Sequence, residues 1–219
     1  MRLILNLLSI LSVIFLFAVP AHADLIDIGG GMLYDDVLNI TWTQNANLPG
    51  SLDLTWVDAN SWAANLTLNG LAGWRLPYAS VIAGVGPIAT EVVNCAAATE
   101  LQCRDNELGY MFYYNLGGLK GQDMRGNQTT VGGEVILGVQ DNYWTATEAQ
   151  PFIPSHHAWS FGFNGGGEGV GDMVDPFTAW AVHDGKAASV PESSSILLLS
   201  LGITGLITIR FMRDRAVSL

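Results

Sequence analysis

The stretch Tyr143-Trp144-Thr145-Ala146-Thr147 indicates the fold, because aromatic and β-branched residues dominate it. Such residues favour β-strands, where their side chains pack on a pleated surface. Two comparable stretches follow, Ala158 to Phe163 and Thr178 to His183, and glycine-rich segments lie between the three. We therefore predict three strands in the second half of the chain.

The first half predicts two short strands and a helix. Met32 to Tyr34 and Ile40 to Trp42 flank a turn rich in aspartate and asparagine, as expected for two paired strands. Thr55 begins a helical stretch, because apolar residues recur there at helical spacing. These residues are Trp56, Ala59, Ala63 and Leu66.

A second helix is predicted after Asp105 or Asn106, either of which is a good N-cap residue. Leu108, Phe112 and Leu116 follow at i, i+4 and i+8. Because helices dominate early and strands late, the fold class is predicted to be α+β.

The N-terminus predicts a signal peptide over residues 1–23. Arg2 precedes an apolar run from Leu3 to Val19, and small residues at Ala21 and Ala23 form a cleavage site before Asp24. The run is slightly long for a signal peptide, so an uncleaved membrane anchor is the alternative.

The C-terminus predicts a transmembrane helix at about residues 193–212. These residues would span roughly 30 Å as a helix, the thickness of a bilayer core. Arginines directly after the apolar segment predict a cytoplasmic C-terminus, with the domain outside. The alternative is a core helix, but the apolar residues surround the helix axis rather than forming one stripe.

Residues 190–219 resemble the PEP-CTERM sorting signal of Gram-negative bacteria. Val190, Pro191 and Glu192 match its start, and Ser193 stands where the signature has a second proline. The basic end corresponds to Arg210, Arg213 and Arg215. The resemblance implies a partner, a sorting protease called exosortase, which would release the protein from the membrane to the cell surface or exterior. Without processing, the protein would stay anchored and face the periplasm.

The predicted domain, residues 24–189, is strongly acidic. It holds five lysines and arginines against eighteen aspartates and glutamates, so its net charge is near −13, against −11 for the whole chain. Such a surface repels phosphate groups, and this excludes a nucleic-acid partner. It is compatible with divalent cations or neutral glycans.

Cys95 and Cys103 are the chain's only cysteines. In an exported protein, an isolated pair at this spacing predicts a disulfide that closes a short loop. A metal or redox site would favour a C-x-x-C spacing or nearby histidines, and neither is present.

Several motifs in a recurring order resemble the Lcl C-terminal domain family, over nearly the whole of residues 24–189. They include Leu33-Tyr34-Asp35-Asp36, Gly73-Trp74-Arg75-Leu76-Pro77, Glu107-Leu108-Gly109-Tyr110, Tyr143-Trp144-Thr145, Ala158-Trp159-Ser160-Phe161 and Ala179-Trp180-Ala181-Val182. The resemblance implies a fold similar to C-type-lectin-like domains and formylglycine-generating enzymes, with two helices and a small twisted antiparallel sheet. It implies no activity, because function does not follow from fold.

The stretch from Gly165 to Asp175 is the candidate metal site. Glu168, Asp172 and Asp175 would offer oxygen ligands on a flexible loop, which suits Ca²⁺. The alternative is a solvated hairpin loop without a ligand. The seven tryptophans likewise allow two interpretations, core packing or stacking on sugar rings.

Signals for an enzyme are few. The chain lacks the nucleophile-elbow, zinc-protease and phosphate-loop motifs. His156, His157 and His183 with Asp172 or Asp175 are one candidate catalytic or metal set. We therefore predict a non-catalytic envelope or extracellular-matrix protein without a cofactor. The alternatives are a calcium-assisted module that binds glycan or exopolysaccharide, and a surface enzyme.

Overall fold

Strands dominate the domain, as the aromatic stretches predicted. The computed structural model describes residues 25–50, 53–79, 93–149 and 156–188, so both predicted terminal segments and their site residues lie outside it. The strands are β1 (Leu25–Gly29), β2 (Met32–Asp35), β3 (Ile40–Thr43), β4 (Trp74–Arg75), β5 (Gly126–Thr129), β6 (Val135–Val139), β7 (Asn142–Glu148), β8 (His157–Gly162), β9 (Gly167–Asp172) and β10 (Val182–Asp184). The helices are α1 (Trp56–Asn65), α2 (Glu100–Cys103) and α3 (Glu107–Tyr110), which a π-helix (Met111–Asn115) continues.

The strands form three sheets within the described residues. The largest has the order β1-β2-β3-β10-β4, with every neighbouring pair antiparallel. A second sheet pairs β5 with β6, and a third has the order β7-β8-β9. The predicted mixture of helices and antiparallel strands is confirmed, although it is distributed over three sheets rather than one.

The segment from Thr178 to Val182 connects the largest sheet to β7. The backbone N–H of Trp144 donates to the Thr178 carbonyl, and the backbone N–H of Thr43 donates to the Ala181 carbonyl. Val182 then pairs with Trp42 as the first residue of β10. The strand predicted from Thr178 to His183 is therefore wrong in its first half, because those residues pass from one sheet to the other.

Both predicted helices form. Thr55 caps α1, because its hydroxyl oxygen accepts from the backbone N–H of Asp58 at 3.2 Å, and α1 buries Ala59 and Ala63. Asn106 caps α3 by accepting from the backbone N–H of Gly109 at 3.0 Å. The predicted apolar face of the second helix is buried, as Leu108, Phe112 and Leu116 all show. Among the described residues, no helix is long and apolar enough to cross a membrane.

Aromatic side chains fill the centre of the domain. Trp42 and Trp180 lie with ring centroids 4.9 Å apart, and the Trp180 indole donates to the Thr43 carbonyl. Trp74 and Trp144 are also buried, which confirms core packing for four of the seven tryptophans. The other three, Trp56, Trp62 and Trp159, are half-buried.

Candidate functional site

The stretch from Gly165 to Asp175 forms a strand rather than a flexible loop. Gly165 and Gly166 belong to the turn after β8, and residues 167–172 pair with β8 along its whole length. The expectation of a solvated loop is therefore wrong for most of the stretch. Glycine composition suggested a loop because glycine has low strand propensity.

Glycine is required in β9 because aromatic rings lie against it. A Cβ atom added to Gly171 would lie 2.8 Å from ring atoms of both Trp144 and Phe177. A Cβ on Gly167, in the same strand, would meet nothing within 4 Å. The glycine at position 171 thus serves close packing, which is invisible in the local sequence.

The three proposed calcium ligands do not meet. Glu168 pairs with Phe161 at one end of β9, whereas Asp172 pairs with His157 at the other. Their Cα atoms are four residue steps apart along the strand, a distance of roughly 13 Å. Asp172 and Asp175 instead close the following turn, where the Asp175 carboxylate accepts from the backbone N–H of Asp172 at 2.9 Å.

Glu168 attaches β9 to the disulfide loop. Its carboxylate accepts from the Asn106 side-chain amide at 3.0 Å and from the backbone N–H of Cys95. Burial raises the pKa of Glu168, and these hydrogen bonds and the charge of Lys120 oppose that rise. These contacts give the side chain a structural role.

The disulfide between Cys95 and Cys103 is present, as the spacing predicted. Both cysteines are buried against Tyr110 of α3. The cross-link therefore holds the 95–103 loop against α3.

The histidines do not form the suggested catalytic or metal set. His157 pairs across the β8–β9 ladder with Asp172, but His183 lies in the largest sheet, edge-on to Trp74 at 5.7 Å. His156 precedes β8 and is exposed. In the described parts of the chain, no three His, Cys, Asp or Glu side chains are grouped so that they can hold a metal ion.

A charged cluster that sequence reasoning did not identify surrounds Arg75. Its guanidinium donates to both carboxylate oxygens of Glu107 at 2.8 Å and to Asp184 at 2.7 Å. The backbone N–H of Tyr78 donates to Glu107 as well. Although burial opposes the charge of Arg75, the hydrogen bonds and charge of Glu107 raise its pKa. The Gly73–Pro77 and Glu107–Tyr110 motifs were visible, but their pairing depends on the fold.

A cleft of about 230 Å³ opens where β7 begins. One side is formed by Gln140, Asp141 and Asn142, and the other by residues 176–178. Two backbone contacts hold the sides together, because Thr178 donates to the Asn142 carbonyl and Trp144 donates to the Thr178 carbonyl.

The two sides of the cleft differ in chemistry. Pro176 and Phe177 make one side apolar, and the Phe177 ring packs on Trp144 with centroids 4.5 Å apart. The opposite side presents two amides and a carboxylate, which together donate and accept hydrogen bonds. A small apolar wall with a few convergent polar groups is typical of a ligand site.

The Asp141 carboxylate has unused hydrogen-bonding capacity. Its Oδ1 atom is buried and has no hydrogen-bond partner among the described residues. Its Oδ2 atom lies 3.7 Å from Arg125, which already pairs with Asp123 at 2.6 Å. Gly162 lies opposite Asn142 in the β7–β8 ladder and leaves room for the Asn142 amide, because a Cβ at Gly162 would lie 3.0 Å from Asn142 Oδ1.

Comparison with known proteins adds no assignment, since the chain matches no protein-family model and no curated protein is significantly similar to it. The resemblance to the Lcl C-terminal domain family therefore stays a prediction. The candidate site rests on the geometry of the cleft alone.

Proposed function

We propose that the chain is an exported protein of a Gram-negative cell envelope or extracellular matrix. Its C-type-lectin-like domain, of the Lcl C-terminal kind, has a non-catalytic structural or binding role. A PEP-CTERM tail delivers it through an exosortase-type protease. The observation that supports export best is the Cys95–Cys103 disulfide, because such bonds persist in oxidising compartments outside the cytoplasm.

The signals at the two ends of the chain support the same proposal. An A-x-A cleavage site follows the first apolar run, and an arginine cluster follows the second. The strongly acidic domain favours solubility at a cell surface and disfavours anionic partners. The calcium-assisted alternative has little support, because Glu168 and Asp172 lie at opposite ends of β9.

Cell fractionation with mass mapping of both termini tests the proposal. We expect a mature N-terminus at Asp24, and material that has lost the C-terminal apolar segment outside the inner membrane. Deleting residues 196–219 should abolish anchoring and sorting. A Ser193→Pro variant, which restores the usual signature, should be processed at least as efficiently as the natural chain.

Thiol labelling supplies an independent measurement. Cys95 and Cys103 should resist alkylation in the exported protein until a reductant is added, whereas a chain lacking residues 1–23 should be labelled directly. Reduction should lower the free energy of unfolding by about 2–3 kcal/mol, since the closed loop is short. An intact tail retained in the inner membrane together with free thiols would contradict the proposal.

A further inference from the structure

We propose that the cleft between Gln140–Asn142 and Pro176–Thr178 binds one ring of a neutral saccharide without a metal ion. The inference rests on the proposed function, which places the domain where polysaccharides are found. It names the ligand of that domain and the side chains that recognise it.

The size of the cleft favours a small ligand. Its volume of about 230 Å³ lies below the roughly 300–1,000 Å³ of pockets for drug-sized molecules. A single sugar ring, with the rest of the chain extending into solvent, matches such a space. Thr178 is joined to β7 by two backbone hydrogen bonds, and the Asp141 carbonyl accepts from the backbone N–H of Phe163. The cleft therefore needs little rearrangement to accept a ligand.

The two sides of the cleft correspond to the two chemistries of a sugar ring. Carbon-bound hydrogens on a ring face are apolar and suit contact with Phe177 and Pro176. Neighbouring hydroxyl groups need donors and acceptors together, which the side chains of Asp141 and Asn142 provide. The hydrogen bond from Thr178 goes to the backbone carbonyl of Asn142, so it does not use the side-chain amide.

The unused hydrogen-bonding capacity of Asp141 points to a hydroxyl-bearing ligand. A buried polar atom without a partner is rare, because it has lost its water without replacement. Turning the carboxylate toward the cleft would bring that oxygen to a sugar hydroxyl and remove the deficit. A hydrogen bond to a charged acceptor is stronger than one between neutral groups.

Electrostatics selects a neutral ligand over an acidic one. The Asp141 carboxylate is part of the cleft, and the domain carries a net charge near −13. A uronate or sulfate group would be repelled from this surface. A bridging calcium ion is not required, since no grouping of three potential ligands occurs in the described residues.

Ligand-observed NMR and tryptophan fluorescence test the inference with the full-length chain. The protein should be purified in a zwitterionic detergent, because detergents with sugar headgroups would compete. The probes are glucose, galactose, mannose and N-acetylglucosamine at up to about 10 mM, with glucuronate as the acidic comparison. Trp144 is the expected fluorescence reporter, because it contacts Phe177.

We expect at least one neutral sugar to bind, with affinity unchanged by a chelator and weakened at least about tenfold by Asp141→Ala. The matched control is Asp123→Ala, which removes the other carboxylate on Arg125 outside the cleft and should change affinity less than about twofold. Four results would each overturn the inference. They are no binding of any neutral sugar, an equal loss of affinity in both variants, a loss of affinity on adding a chelator, and a preference for glucuronate. If no sugar binds but the protein is exported, the proposed function still stands. If the protein is not exported, the proposed function is overturned, whether or not a sugar binds.

Discussion

The Arg75 cluster and the Asp141 cleft use charge in opposite ways. Arg75 and Glu107 are largely buried, with side chains 18% and 11% exposed, and every contact between them is short and bidentate. Asp141 is 45% exposed, yet within the described part of the chain one of its oxygens is buried without a partner and the other has only a contact at 3.7 Å.

The difference in hydrogen bonding indicates a structural role for the Arg75 cluster and a recognition role for the Asp141 cleft. A buried ion pair whose hydrogen bonds are all made has no capacity left for a ligand, and it holds β4, β10 and α3 together. The polar side of the cleft contributes little to the fold and retains that capacity. Substitutions should therefore affect stability at the first position and binding at the second.

The largest expected effect is at Glu107. Glu107→Ala should lower the free energy of unfolding by about 3 kcal/mol, because the buried Arg75 would then be paired, among the described residues, with the exposed Asp184 as its one carboxylate. Urea denaturation measures the change. The matched control is Asp184→Asn, which should cost less than about 1 kcal/mol because Asp184 is 78% exposed. Equal losses in the two variants would show that burial does not distinguish the carboxylates.

The next effect tests whether packing, rather than charge, supports the cleft. Gly171→Ala should destabilise the domain by about 2 kcal/mol, because the added methyl group would overlap the Trp144 and Phe177 rings. Gly167→Ala is the control in the same strand, where the added group meets no atom within 4 Å. Thermal unfolding of the two variants compares them, and matching melting temperatures would contradict the close packing described for Gly171.

These two substitutions also show what the sequence could and could not predict. The Thr55 cap, the paired strands near Met32 and the Cys95–Cys103 bond depend on neighbouring residues, so their patterns were sufficient. The strand at Gly171 depends on rings supplied by distant segments, and local composition therefore indicated a loop.

The cleft was only partly visible for the same reason. Asp141 and Asn142 stand out beside a predicted strand, but Phe177 reaches them through the bridge between Tyr143 and Thr178. Arg75 and Glu107 are likewise paired only by the fold, since they are 32 residues apart. The sequence showed the polar residues beside the predicted strands, but it did not show which distant residues would pair with them.

A smaller, pH-dependent effect concerns Asp35, which is fully buried. It accepts hydrogen bonds from Val37, Leu38 and Asn115, but burial outweighs them and raises its pKa from the usual 3.8. A raised pKa in the folded state favours the protonated form of Asp35. The stability that the protonated carboxyl contributes is therefore present at low pH, and it is lost as the pH rises through the pKa of the folded state.

Asp35→Asn should therefore become more stable than the natural chain as pH rises from about 3.5 to 6. The introduced amide can also donate to Asn115 Oδ1, which is buried without a partner among the described residues, after the Asn115 amide turns over. Urea denaturation at several pH values measures the difference, and a difference independent of pH would contradict the pKa assignment.

The smallest effect on stability is expected at the cleft itself. Asp141→Ala should change the free energy of unfolding by less than about 0.5 kcal/mol, since its contact with Arg125 is long and solvent-exposed. A loss comparable to that of Glu107→Ala would assign Asp141 to the fold rather than to recognition. Chemical denaturation of both variants side by side makes the comparison.

The position of β10 determines how the domain responds to mechanical load. This strand ends at Asp184, near the C-terminal limit of the domain, yet it lies between β3 and β4 rather than at an edge. A pull applied beyond residue 188 is therefore resisted by backbone hydrogen bonds on both sides of the strand. If the domain is tethered at its C-terminus, tension enters through an interior strand, and the domain can bear drag without unravelling from that end.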